Sequence, residues 1–232
     1  YYNARKSKKL GDINFVDGLV KDGLTDVYDK VHMGNCADKC AKKYKISREQ
    51  QDEFAIESYN KAAYASNNGL FEKEIIPVSI PQRKGDPLVI KEDEEFKNVK
   101  LDKIPQLKAV FSKDGTVTAA NASTLNDGAS ALILMSEEKA NELNLKPLAR
   151  VVSYADASQE AKWFTTSPAI AINKALSKAN ILAKDVDYWE LNEAFSVVGI
   201  VNTQLLEIDA NKVDVNGGCL LYTSPSPRDT IR

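Results

Sequence analysis

Histidine is nearly absent from this chain, with one among 232 residues, and cysteine is scarce, with three. So few cysteines exclude a disulfide-built scaffold and fit a reducing compartment. A single histidine leaves no His-rich metal site. Net charge is also small: 31 basic against 33 acidic residues give −2, which provides no electrostatic footprint for nucleic acid or an acidic membrane surface. Long apolar runs are missing as well. Stretches such as Ala131–Met135 and Phe195–Val201 fall far short of the roughly 18 residues a membrane span needs. Against these absences stands an ordinary apolar content of 43%, which argues against low-complexity disorder and for a globular chain with a sizeable core.

Helices and strands alternate along the sequence with no fixed repeat, which indicates an α/β layered architecture. The strongest helix signal runs from Arg48 to about Asn67. Ser47 and Gln50 form an S-x-x-Q capping box before it and Gly69 is placed to end it. Phe54, Ile56, Tyr59, Ala62 and Ala63 give it an apolar side. Strands are expected at Glu74–Ile80 and Leu88–Lys91, separated by the turn-like Lys84-Gly85-Asp86-Pro87. The acidic run Lys91–Glu95 reads as a solvated loop. Further strands are expected at Thr116–Ala120 and, as a buried one, at Ala129–Met135, with a turn at Asn126-Asp127-Gly128 between them. Ser136 then caps a short helix.

A second unit follows a link at Asn144–Pro147. It reads as strand Leu148–Tyr154, helix Pro168–Asn180 capped by Ser167, strand Asp187–Leu191, a helix from about Glu193 to Glu207 and strand Val213–Asn216. From Cys219 to Arg232 no period is visible and two prolines break either kind of element; this end reads as a non-native tail.

Few spacings carry chemistry by themselves. His32, Cys36 and Cys40 fall at i, i+4 and i+8, one face of a helix, but no second His or Cys pair exists to complete a zinc site. The two cysteines read more simply as small core residues. No dinucleotide fingerprint, phosphate loop or nucleophile elbow is present. Asn121-Ala122-Ser123 matches a glycosylation acceptor by chance. Asn192-Glu193-Ala194-Phe195 lies where a strand is expected to end and a helix to begin, the place where α/β folds put ligands. Helix capping by Asn and a first-turn Glu account for those residues equally well.

Longer stretches of text are more specific. Leu19–Asp26 with His32-Met33-Gly34, Gly115–Gly128, Asn192–Phe195 and Val215–Gly218 together resemble the thiolase family, in order and in spacing, over residues 1–218. The likeness is strongest to the short-chain, potassium-activated mitochondrial branch. It implies an α/β thiolase fold of two α-β-α-β-α halves, incomplete at both ends, with the inserted loop domain present. Residues 1–145 would form a partial N-terminal domain (1–123 mostly loop domain), 146–218 a partial C-terminal domain and 219–232 the tail.

The implied reaction is the reversible condensation of two acetyl-CoA to acetoacetyl-CoA and CoA. Asn192 would be catalytic, holding a water in an oxyanion hole. His32, Met33, Tyr59, Val99, Lys103, Ser123 and Phe195 would bind the CoA substrates. Tyr59 and the carbonyls of Ala119, Ala120 and Ala122 would hold potassium, with no organic prosthetic group. The resemblance also implies a homotetramer, mitochondrial or alternatively cytosolic, without nucleic-acid or membrane partners. The family's nucleophilic cysteine falls before Tyr1, and its Gly-His-Pro histidine and second cysteine fall after Gly218, where the text departs. The 232-residue chain is therefore expected to be inactive by itself. A degradative 3-ketoacyl-CoA thiolase and a non-catalytic acyl-CoA binder are the alternatives.

Overall fold

A computed structural model describes residues 15–218. Three helices carry the centre. Helix α1 (Met33–Tyr44) starts at His32, whose backbone is extended and whose ring accepts a hydrogen bond from the Gly34 N–H. It ends at Lys45 in the left-handed region, and Ile46 N–H returns to the Ala41 carbonyl. Helix α2 (Arg48–Asn67) has both arms of the expected capping box. Gln50 N–H donates to Ser47 Oγ at 3.2 Å and Ser47 N–H to Gln50 Oε1 at 2.8 Å. Gly69 follows the C-cap at φ +69°. The inner face of α2 is more polar than its apolar letters suggest, for Gln51, Asp52 and Ser58 are buried beside Ala55, Tyr59, Ala62 and Ala65.

Helix α6 (Ser196–Leu206) is the innermost element; Val197, Val201 and Asn202 are fully buried. It packs against α1, α2 and α5 (Ser167–Ala179). Gly199 sits where a Cβ would lie 2.3 Å from the Phe54 ring, so this glycine makes room on α6 for an aromatic side chain of α2. Asn202 joins α6 to α5 and to the preceding turn: its Oδ1 accepts from Ala169 N–H and its Nδ2 donates to the Thr165 carbonyl. Two short helices, α3 (Glu95–Asn98) and α4 (Glu137–Glu142), complete the set, the latter capped by Ser136 as expected. The α5 N-cap is Thr166 rather than Ser167, with proline in the first turn.

The strands differ most from expectation. Among the described residues one antiparallel strand pair forms, β1 (Val78–Ile80) with β2 (Leu88–Ile90), in register Val78↔Ile90. Ala129–Met135, expected as a buried strand, forms no regular element and is exposed, Ile133 at 87%. Leu148–Tyr154 likewise forms no ladder among the described residues. A strand is completed by its partner, and neither segment has one there. Asp187–Leu191 and Val213–Asn216 reduce to a single parallel bridge, Trp189↔Val213. No turn forms at Asn126–Gly128.

Thr116–Ala120 is irregular for a different reason: side chains occupy its backbone donors. Asp38 Oδ1 accepts from the N–H of Thr116 and of Val117, at 2.8 and 3.0 Å, and Asn121 Oδ1 accepts from Thr118 N–H at 2.7 Å. Cys219 and the tail expected at 219–232 lie outside the described residues.

The capping box makes one testable statement. Replacing Ser47 by alanine should cost about 1 kcal/mol of stability, seen as a lower urea midpoint with an unchanged slope, and Ser47→Asp should restore most of it.

Candidate functional site

The site is organised by residues 116–123, which run between two apolar clusters. On one side Ala120 packs with Tyr59, Ala55, Ala62 and Ile104, flanked by Val99. On the other, Ala122 and Phe111 pack against a cluster containing Phe195, Val117 and Cys40. At the centre lies Asn121, with no exposed surface. Its Nδ2 donates to Asp52 Oδ1 and to the Thr116 carbonyl, both at 3.0 Å, and its own carbonyl accepts from Ser196 N–H at 2.9 Å. Asp52 is held in turn by Arg48, whose Nε lies 2.7 Å from Oδ2. Sequence reasoning gave Asn121 no functional role; the signal was its place in a long family motif, not its spacing.

The antiparallel bridge Ala122↔Phe195 brings the Asn192–Phe195 motif against this segment, with Ser123 N–H donating to the Ala194 carbonyl at 3.0 Å. Phe195 meets Phe111 edge-on at 6.4 Å between centroids, and Phe111 stacks on His32 at 4.4 Å. Phe111 has no counterpart in the sequence reasoning. Gly34 makes room for it, since a Cβ there would lie 2.2 Å from the ring. Asn35 Nδ2 fixes the same residue through its carbonyl at 3.0 Å. His32, Phe195, Ala122 and Ser123 are thus drawn to one place, with Met33 as the first residue of α1 beside His32. Lys103 is apart and exposed, on a 3-10 turn (Leu101–Gln106), 3.6 Å from Asp102. Asn192 is exposed between buried Leu191 and Glu193.

Burial sets the charge states. The His32 ring accepts a hydrogen bond through Nδ1 and is lowered in pKa by desolvation, so the neutral ring keeps its proton on Nε2. Desolvation raises the thiols of Cys36 and Cys40, which is the wrong direction for nucleophiles. Among the described residues no group of three His, Cys, Asp or Glu could hold a metal, which removes the zinc reading of His32, Cys36 and Cys40.

The donors implied for potassium do fit a weakly charged hard cation. Tyr59 is buried, and desolvation followed by the charges of Glu95 and Glu193 pushes it up to about 12, so its phenol stays neutral. The carbonyls of Ala119, Ala120 and Ala122 accept no hydrogen bond among the described residues.

A pair of acids was not anticipated. Glu193 and Asp214 are 1% and 2% exposed, and Asp214 Oδ2 has no hydrogen-bond partner among the described residues. Burial first, and the charge of Glu193 second, push Asp214 up to about 8.

Comparison with known proteins gives this arrangement its family. Residues 1–138 match the model of the thiolase N-terminal domain and residues 145–225 that of the thiolase C-terminal domain. A probable acetyl-CoA acetyltransferase of Dictyostelium discoideum is 55% identical over 227 residues, 97% of this chain and 55% of that protein. The mitochondrial acetyl-CoA acetyltransferase of Danio rerio is 51% identical over 226 residues, 97% of this chain and 54% of that one. The crystal structure of Acat5 thiolase from Ascaris suum in complex with coenzyme A superposes with a TM-score of 0.89 at 44% identity, covering 95% of this chain and 56% of that one. The chain spans a little over half the length of these relatives and shares their fold. It belongs to the thiolase family.

Proposed function

We propose that the protein is an acetyl-CoA C-acetyltransferase, which joins two acetyl-CoA into acetoacetyl-CoA and CoA and runs the same chemistry in reverse. The names of the relatives support the activity, and the coenzyme A complex of the Ascaris neighbour supports the ligand. The observation that carries the reading is the convergence of His32, Phe111, Phe195 and Ser123 next to the exposed Asn192.

In the first step a cysteine thiolate attacks the acetyl carbon of one acetyl-CoA, forming an acyl-enzyme and releasing CoA. A base then takes an α-proton from a second acetyl-CoA. The resulting carbanion attacks the acyl carbon, a C–C bond forms, and the thiolate leaves. Buried Cys36 and Cys40 take neither role; the nucleophile and the acid–base groups are assigned to segments outside residues 15–218. What these residues contribute is the binding surface and one oxyanion hole. Asn192 would hold a water against the thioester oxygen as charge develops there. Met33 and Phe195 would line the acyl and pantetheine channel, His32 and Ser123 would contact coenzyme A, and Val99 with Lys103 would face its nucleotide end. Tyr59 and the carbonyls of Ala119, Ala120 and Ala122 would hold potassium, which when bound supplies a fixed positive charge beside the coenzyme A. A mitochondrial homotetramer is part of the same reading, supported for compartment by the names of several relatives.

Four outcomes test it in the full-length protein. Asn192→Ala should lower kcat by roughly 10²–10³ with little change in KM, since the donor acts on developing charge. Gly34→Ala should push Phe111 off His32 and raise KM for acetoacetyl-CoA by about tenfold or more, with overpacking worth 1–3 kcal/mol. Replacing potassium by a bulky organic cation should slow thiolysis of acetoacetyl-CoA, and longer 3-ketoacyl-CoA substrates should be turned over less well.

A further inference from the structure

Asn192 is exposed, while Leu191 before it and Glu193 after it are buried. Each neighbour is anchored by its own hydrogen bond. Leu191 N–H donates to Asp214 Oδ1 at 2.8 Å. Glu193 Oε2 accepts from Ser58 Oγ, in the middle of α2, at 2.7 Å. With both neighbours held, the course of the backbone through 192 is set, and the Asn192 amide is left its side-chain torsions alone.

The serine is unusual for its place. A serine inside a helix ordinarily turns its hydroxyl back to the carbonyl four residues earlier or out to water. Thr203 of α6 shows the first habit, donating to the Gly199 carbonyl at 2.8 Å. Ser58 is 3% exposed, and its hydroxyl proton goes instead to Glu193, 135 residues away. The same oxygen accepts from Gly218 N–H at 3.2 Å. A hydroxyl has one proton to give and two lone pairs, so one small side chain serves Glu193 as a donor and Gly218 as an acceptor at once.

The adjoining residues hold the same two segments together. Lys61, one turn along α2, donates to the Val213 carbonyl at 3.4 Å. Gly217, at φ +83°, lies so near the helix that a Cβ on it would fall 2.8 Å from both the Ala62 nitrogen and the Ser58 carbonyl oxygen. Asp214 adopts φ +45° and donates its own N–H to the Trp189 carbonyl at 2.8 Å while accepting from Leu191. Residues 189–193, residues 213–218 and α2 therefore meet at one junction, and the Ser58 hydroxyl bonds to both segments.

We propose that Ser58 is a positioning residue for Asn192: bonded to Glu193 and to Gly218, its hydroxyl fixes the backbone that carries the Asn192 amide. The role rests on the catalytic assignment of Asn192 made above. Ser58 itself is buried and has no surface to offer a substrate. Its effect therefore belongs on turnover rather than binding, and a displacement of about 1 Å at a catalytic group is worth up to roughly 10²-fold in rate.

The test is a double-mutant cycle in the full-length protein, read by thiolysis of acetoacetyl-CoA. Ser58→Ala should lower kcat by about tenfold or more with KM within roughly twofold of wild type. Ser58→Thr, which keeps the hydroxyl, should retain more of kcat than Ser58→Ala. In the Asn192→Ala background the Ser58→Ala change should have almost no further effect on kcat, because the group it positions is gone. A serine with a merely structural role slows both backgrounds by the same factor; that result, or an unchanged kcat in Ser58→Ala, would overturn the proposal. Should Ser58→Ala not fold, Ser58→Cys, a weaker donor of similar size, runs the same cycle. Hydrogen exchange reads the tether apart from the chemistry: the Gly218 amide should exchange roughly tenfold faster in Ser58→Ala. If Asn192→Ala leaves kcat intact, the reading of Asn192 is what fails, and faster Gly218 exchange alone then supports the tether. If Asn192→Ala is slow but neither kcat nor Gly218 exchange responds to Ser58→Ala, the tether is what fails.

Discussion

The buried amide of Asn121 is the constraint on which the rest of the arrangement depends. Its two ends and its backbone carbonyl are all used: toward α2 through Asp52, back onto Thr116 and Thr118, and across to Ser196 at the head of α6. A buried polar group is costly unless satisfied, and a satisfied network selects one arrangement sharply. Here it fixes an irregular stretch that no sheet supports. Asp38 and Asn121 take the N–H groups of residues 116–118, while the carbonyls of Ala119, Ala120 and Ala122 are left with lone pairs to offer. The same choice that denies this segment a strand leaves those three carbonyls without a hydrogen bond among the described residues.

How much of this is legible in the sequence depends on how far each interaction reaches. The α2 capping box joins residues three apart, and its start and end signals are local, so both ends stand where the letters put them. Strands depend on partners elsewhere in the chain. Ala129–Met135 has a strand's composition, yet no ladder among the described residues, because a partner is a property of the fold rather than of the segment. The site behaves the same way. The motifs at Gly115–Gly128 and Asn192–Phe195 are readable as text and do come together across the Ala122↔Phe195 bridge. Phe111 is not readable, since its place against His32 is set by a missing Cβ at Gly34 and a bond from Asn35, 76 residues away. Nor is the Glu193–Asp214 pair, whose link to Ser58 spans 135 residues.

Electrostatically these groups act in one direction. Burial lowers His32, raises Cys36 and Cys40, and raises Tyr59 and Asp214, so each moves toward its uncharged form. The thioester proposed as substrate would bring no formal charge to its reacting end; charge would appear only as the carbonyl is attacked or the α-proton leaves. Surroundings kept neutral until that moment favour oriented dipoles over resident ions as the stabilising groups. Exposed ion pairs such as Lys103 with Asp102 lie in water and contribute little by comparison.

The glycines at 217 and 218 show how closely local chemistry and long-range packing are joined. In the sequence they read as a turn signal, a place where the chain wants conformational freedom. Gly217 does adopt φ +83°, but a Cβ on it would also lie 2.7 Å from that of Ala62, and one on Gly218 would lie 2.2 Å from the Glu193 carboxyl carbon. The backbone is drawn in there because Gly218 N–H reaches Ser58, which also holds Glu193. Any side chain at 218 would push first on Glu193. The glycine pair is therefore less a hinge than the space into which Glu193, Ser58 and α2 pack.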